Sequence, residues 1–276
     1  SQRLPVIFIT DLYKEMKHLQ GTLLFLSCST IFVGAFSTIK TSSLYLPCTK
    51  LSSSATNDQS QPSSSPIELI GDKCDRGGII LDEDAILRKQ NFAISPQDLI
   101  AKAKYALKKD SGVLEPALWA PDFEFCAPYI GPLNSAEFLD AADGFNIYDA
   151  FPDFDNRYAN FSVDPLEPGR VWFFVRLIAT DTGGLFGKEP TEKTVQLPPQ
   201  VFSFKFNEDG LIRELTVGYS VDRRQGDTGG VGGMFGLFYG VGQGLPFREG
   251  QPLKTSLKFR LFTRIGNVVS KLSKKK

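Results

Sequence analysis

The sequence predicts an α+β domain, and three observations carry that prediction. A capped, amphipathic helical stretch lies at residues 95–110. Runs of strand-forming residues gather in the second half, between residues 170 and 222. A turn signal, "NEDG" at 207–210, separates two of those runs. Helices followed by antiparallel strands define the class.

The helix "SPQDLIAKAKYALKKD" is the clearest local element. Ser95 suits the cap, Pro96 the first helical position, and Asp98 the place of a capping-box acid. Leu99, Ile100, Ala103, Ala106 and Leu107 then form one apolar stripe, with Lys102, Lys104 and Lys108 mostly off it. "LEPALWA" and "NSAEFLDAAD" predict two further short helices, the latter with Phe138, Leu139 and Ala142 facing inward. "RVWFFVRLIAT" is a near-continuous apolar run rich in β-branched and aromatic residues, which predicts a central strand. "QVFSFKF" alternates, with Phe202, Phe204 and Phe206 on one face. Past the turn, where Gly210 can take positive φ, "LIRELTVGYSVD" is the partner strand. Strict alternation puts Leu215, Val217, Tyr219 and Val221 on one face of it. "SLKFRLF" alternates again and predicts one more strand ahead of a basic tail.

Composition narrows the function classes. The chain has 276 residues, 42% hydrophobic and 12% aromatic, including 23 Phe, enough for a domain with a large apolar core. A formal net charge of +0 supplies no global field for nucleic acid, and no nucleic-acid partner is expected. The single His is His18, inside the leader, so the remaining chain offers no His for a Ser-His-Asp or Cys-His site or for metal ligation. No cofactor and no metal site is expected.

"MKHLQGTLLFLSCSTIFVGAFS", from Met16, has the three parts of a secretory signal. Lys17 and His18 form the positive region, Leu23 to Val33 the apolar region, and Gly34-Ala35 the small-residue cleavage site. Residues 1–35 therefore read as a signal with upstream residues. From Ser37 to Ser65, 14 of 29 residues are Ser or Thr and Asp58 is the only acid, so residues 36–66 read as a transit-like segment or a plain Ser-rich linker. A signal joined to such a segment, with Phe36 at the junction, resembles the bipartite leaders of algae with secondary red plastids, such as diatoms. That resemblance implies a plastid protein, stromal or thylakoid-associated.

Residues 67–252 read as the folded domain, and residues 253–276 as a basic strand and tail. The order of helices, then "WAPDFEFCAPYIGPLNSAEFLDA", then "VFSFKFNEDGLIRELTVGYSVD" resembles the SnoaL-like branch of the nuclear-transport-factor-two-like superfamily. The positions that carry it are Asp122, Pro128, Gly131, Pro132, Phe204, Phe206, Gly210, Ile212, Leu215 and Asp222, across roughly residues 95–222. The resemblance implies a cone: a strongly curved antiparallel sheet wrapped on N-terminal helices, with a pocket between them. It also implies frequent dimers through the open sheet face, so a homodimer is one expected assembly. The superfamily includes cyclases, dehydratases, isomerases and members without known activity, so the fold leaves function open.

Several residues are candidates for chemistry. "DFEF" sets Asp122, Glu124 and Cys126 on one strand face; two carboxylates in a pocket can divide acid and base roles, or they face water while Phe123 and Phe125 face the core. Arg176, the one charge inside "VWFFVRLIAT", either holds a ligand carboxylate or phosphate or pairs internally, for instance with Glu214. Tyr219 points to pocket or core, and a bulge near Gly218 would bring Asp222 inward. Some cyclases of the resembled branch use a late Asp as general base, but the His that accompanies it in related enzymes is missing here.

The catalytic candidates are thus Asp122, Glu124, Tyr219 and Asp222. The ligand-binding candidates are Trp119, Trp172, Arg176 and Tyr219, expected around a pocket between the helix at 95–110 and the sheet. The uncharged run at 229–247, with eight Gly, reads as a Gly/aromatic loop spanning 226–246 that closes one mouth of the domain, or as a membrane or partner contact. Residues 253–276 hold eight basic residues and no acid, with Ile265, Val268, Val269 and Leu272 at helical spacing; they form an ordinary C-terminal helix with a solvated Lys tail, or make a weak membrane-surface contact through residues 264–276.

The expected function is a plastid pocket protein for a small apolar or amphipathic molecule, such as a pigment, lipid or polyketide-like compound. The alternatives are a structural subunit on thylakoid membranes or a photosynthetic complex, and a His-free isomerase, cyclase or dehydratase. One expectation is testable directly. Residues 16–66 fused to a fluorescent protein should reach the plastid, and Phe36→Ala should hold the fusion in the outer compartments. Secretion of the unsubstituted fusion contradicts the plastid address.

Overall fold

A computed structural model describes residues 67–145 and 147–273. The leader segments 1–35 and 36–66, Phe36 among them, lie outside the described residues. The architecture is α+β. A short hairpin, β1 (Gly71–Lys73) and β2 (Ile79–Leu81), leads into α1 (Glu83–Lys89), whose first turn is capped by the Asp82 carboxylate accepting from the Ala85 amide at 2.9 Å. Next comes α2 (Pro96–Lys108), where Ser95 Oγ accepts from the Asp98 amide at 3.2 Å and donates to the Asp98 carboxylate at 2.7 Å. Leu99, Ala103 and Ala106 form its buried face, as the stripe spacing requires.

The main sheet is built from β3 (Trp119–Cys126), β4 (Tyr158–Val163), β5 (Arg170–Val175), β8 (Gln200–Phe206) and β9 (Ile212–Ser220), in spatial order β3-β9-β8-β5-β4. Neighbours are antiparallel except β3 and β9, which run parallel, so the sheet is mixed at that edge. Register shifts between β3 and β9, β4 and β5, and β8 and β9 bend the sheet. The β8–β9 hairpin closes through Gly210, at φ +79, whose amide donates to the Asn207 carbonyl at 3.0 Å. Helix α3 (Ser135–Phe145) opens on a reciprocal cap, with Asn134 and Glu137 each bonding the other's amide at 3.0 Å. The short α4 (Ile147–Ala150) follows.

Between α2 and the sheet lies an aromatic core. Phe173, fully buried, meets Tyr158, Phe161, Phe202 and Phe204 at centroid distances of 5.3–6.0 Å. At the other end Trp119 stacks on Phe123 at 4.6 Å and Phe138 stacks on Phe125 at 4.4 Å, while the Trp119 indole donates to the Ser111 carbonyl at 2.9 Å. Trp119, expected at a pocket wall, is therefore a core residue.

A second, smaller core sits beside the first. It joins Phe151, Leu177, Leu197, Leu237 and Phe238 under the ribbon of β6 (Ile178–Thr180) and β7 (Thr194–Gln196). The Gly-rich run, expected as a loop, contains helix α5 (Gly233–Gly240) in this core. Its glycines permit close packing: a Cβ at Gly236 would stand 2.5 Å from Leu197 Cδ2, and one at Gly240 would stand 2.4 Å from Val195 Cγ1. Burial of Leu237 and Phe238 offsets the poor helix propensity of the segment.

Two further expectations need correction. The run "RVWFFVRLIAT" does give an interior strand, but it breaks after Val175 and resumes as β6. Val171, Phe173 and Val175 point into the core, so Arg176 continues the opposite face and is exposed. Residues 256–262, expected as a strand, hold the start of helix α6 (Leu257–Ser273). Leu257, Leu261 and Ile265 recur every four residues, and this helical period extends beyond the short alternation of "SLKFRLF".

The outer face of the sheet carries the charge that the core excludes. Arg170, 5% exposed, donates to Glu167, to Glu214 at 2.9 Å and to Ser203 Oγ at 2.8 Å, and its guanidinium lies 5.3 Å from the Trp172 ring. Lys205 reaches Glu167 at 2.6 Å. Glu214 thus pairs with Arg170, and not with Arg176 as one reading expected. Burial pushes the Glu167 carboxyl up, but the hydrogen bonds and charges of Arg170 and Lys205 outweigh it and hold the group below its ordinary 4.5. A depressed folded-state value stabilises the fold above the unfolded value, and that contribution is lost as pH falls through the folded value. Urea unfolding should therefore show stability dropping below pH 4.5, less so in Glu167→Gln. Arg170→Ala, which leaves Glu214 without its cation and Glu167 with Lys205 alone, should cost about 1–3 kcal/mol at neutral pH.

Candidate functional site

A cavity of about 350 Å³ opens where the sheet runs out, between the ends of β3 and β9 and the start of α5. Its construction follows from one residue. Along β8 and β9, Ser203 pairs with Thr216 but Val201 pairs with Tyr219, so three steps on β9 face two on β8. Gly218 sits in this bulge at φ +83, a conformation that other residues adopt only with strain. The nearest atom to a Cβ there would be Pro128 Cδ at 3.4 Å, so backbone angle and not crowding is what favours glycine.

The bulge changes which residues face inward. Leu215 is buried and Val217 packs on the core, whereas Tyr219 and Val221, expected on the same face, are 46% and 55% exposed. Tyr219 lines the cavity from this displaced position, together with Val217 and Ser220. The opposite wall comes from α5, through Met234 and Phe235. Buried Gln200 ties that wall to β8 by accepting from the Gly233 amide at 2.8 Å. The turn after β3 supplies Tyr129, whose ring stacks with Phe235 at a centroid distance of 6.4 Å. Arg223 and Glu249 add charge to the lining; both are exposed and neither forms an ion pair with a described residue.

The ligand-binding candidates do not converge. Tyr219 alone of the four lines the cavity. Trp119 is in the core, Arg176 is in solvent, and Trp172 is on the outer face, its indole donating to Asp164 at 2.8 Å. Nor does this cavity lie between α2 and the sheet, where the aromatic core occupies the space; no α2 residue lines it.

The catalytic candidates are also apart. Asp122 is exposed and paired with Arg213 at 2.7 Å, and Glu124 is exposed on the same outer face while Phe125 turns to the cavity. The bulge does not bring Asp222 into the cavity: the residue lies past the end of β9, partly exposed and outside the cavity lining. There hydrogen bonds from the Arg224 side chain and amide, and from Gln225, hold its carboxyl well below the usual carboxylate range. A general base near neutral pH needs the opposite shift. Tyr219 is left as the one candidate at the cavity.

Arg223, Tyr129, Met234 and Phe235 were not singled out from sequence. The signals were present in two pieces: the glycine inside a strand at Gly218, and a Gly/aromatic run long enough to cap the domain. What joins them is the fold.

No protein-family model matches the chain, and no curated protein matches its sequence. Among solved structures it is similar to AclR from Streptomyces galilaeus, with 21% identity over 55% of this chain and 86% of that one, at a TM-score of 0.38. It is similar to a protein from Jannaschia sp. CCS1 described as a SnoaL-like polyketide cyclase, with 14% identity, 57% and 98% coverage and a TM-score of 0.39. It is also similar to IdmH from Streptomyces antibioticus, described as a polyketide cyclase, with 17% identity, 52% and 99% coverage and a TM-score of 0.37. Likeness at this level assigns neither an activity nor a substrate.

Proposed function

We propose that the chain is a plastid protein of the SnoaL-like branch that binds a small apolar or amphipathic molecule in the cavity beside Gly218. The observation that carries the binding reading is the cavity itself: about 350 Å³, walled by Val217, Met234 and the stacked pair Tyr129 and Phe235, with Arg223 among its lining residues. Concave apolar sites with a few polar groups are the usual form of small-molecule pockets, and their volumes begin near 300 Å³. Arg223 takes the role first given to Arg176, as the cation able to meet a carboxylate or sulfate on the ligand. The family placement rests on the sequence positions named above and on helices packed against a bent, mostly antiparallel sheet. The plastid assignment rests on the leader pattern alone.

Binding is favoured over catalysis because no pair of the candidate acids and bases meets in the cavity. The mature protein, purified from its own plastids, should carry a small apolar molecule detectable by mass spectrometry. Val217→Trp fills the cavity and should lower that content about tenfold or more, equivalent to about 1.4 kcal/mol of binding. Arg223→Leu should weaken retention of an anionic ligand and spare a neutral one. A protein that carries nothing, or a Val217→Trp variant with undiminished content, overturns the binding reading.

A further inference from the structure

Helix α6 presents an apolar face that nothing in the described chain covers. Leu257, Leu261, Phe262 and Ile265 fall on one arc, at positions i, i+4, i+5 and i+8, and their exposure runs from 55% for Ile265 to 79% for Leu257. An amphipathic helix of a globular domain ordinarily buries such an arc. Arg264 and Arg260 border the arc beyond Leu257, and Thr263 and Phe259 stand on the far side, all exposed. Lys258, in the first turn, falls within the arc between Ile265 and Phe262, with a stem long enough to lift its ammonium to a polar boundary. Charge has one sign throughout: the last acid of the chain is Glu249, and eight basic residues follow Leu253.

A partner for this surface must satisfy both halves of it. A second copy of α6 would cover the apolar arc but bring like charges together. A neutral apolar groove would leave the basic row without a complement. An anionic lipid surface meets both, with acyl chains for the arc and headgroup phosphates for the row. Crossing the bilayer is not required: among the described residues no helix is long and apolar enough to do so.

We propose that α6 docks the protein on an anionic membrane surface, lying in the headgroup plane with Leu257, Leu261, Phe262 and Ile265 inserted and Arg260 and Arg264 on phosphates. The helix begins four residues after Leu253, which lines the cavity with Glu249 and Gln251. Docking therefore holds one wall of the cavity close to lipid, where a bilayer-soluble ligand is concentrated. This last step rests on the binding reading; the docking itself does not.

The test uses the full mature chain and sedimentation with vesicles. It should pellet with vesicles of phosphatidylcholine and phosphatidylglycerol in equal parts, and remain in solution with phosphatidylcholine alone. Leu261→Glu with Phe262→Glu, and separately Arg260→Glu with Arg264→Glu, should each reduce the bound fraction about tenfold or more, with the thermal melt of the domain unchanged. Salt should weaken binding, since exposed charges are screened within about 8–10 Å at physiological ionic strength. Equal binding to both vesicle types, or full binding by either double variant, overturns the proposal. So does an α6-dependent dimer that forms without lipid and ignores vesicles. Val217→Trp should bind vesicles as the parent does, so an empty cavity and a failed docking helix are told apart.

Discussion

Aromatic side chains fill the space between α2 and the main sheet, and the placement of every other feature depends on that filling. Phe173 at the centre and Trp119 at one end are held by ring contacts on several sides, and Trp119 also by its bond to Ser111. Each buried ring contributes about 1.5–3 kcal/mol from loss of contact with water. Interiors pack to crystal-like density, so a space occupied in this way holds no second guest. Open volume appears instead where the β8–β9 ladder is interrupted. The Gly218 bulge ends regular pairing there, and α5, pulled close by its glycines, roofs the gap without closing it.

The same alternation that fills the core sorts charge to the far side. Arg170, Lys205, Glu167 and Glu214 form a neutral set of two cations and two carboxylates, with Ser203 and Thr216 joined beneath it at 2.7 Å. Asp122 and Glu124 belong to that outer surface. Asp122 meets Arg213 of the neighbouring β9 at 2.7 Å, an opposite-charge contact that favours this register, whereas Glu124 stands across from Glu214 and adds no such contact. Moving the cavity away from the helix side and the carboxylates to the outside leaves Tyr219 as the single shared member of the expected and observed sites.

Legibility followed the range of the interactions involved. The cap of α2, the turn at Gly210 and the bulge at Gly218 depend on residues within a few positions, and each was readable from those residues. The break after Val175 was not, because Arg176 sits in an apolar run whose period is set by what pairs with it on either side. Only the first turns of helix α6 differ from the sequence pattern, since the seven alternating residues of "SLKFRLF" also fit a helix once Ile265 is counted. Helix α5 was hidden by its own glycines, whose value lies in contacts with Leu197 and Val195, some 40 residues away in sequence. The hairpin β1–β2 and α1 are too short to leave a periodic signal. The cavity combines all these long-range outcomes, which is why its lining was the least readable feature.

The central claim is that ligand space lies at the Gly218 bulge and not beneath α2. Methyl NMR during titration with an apolar fluorescent dye bearing a sulfonate, such as anilinonaphthalene sulfonate, addresses it directly. The account predicts progressive shifts at the methyls of Ile130, Val217, Val231 and Met234, with Leu99, Val171 and Leu215 unmoved. Shifts confined to Leu99, Val171 and Val175 would place the guest under α2 and contradict it.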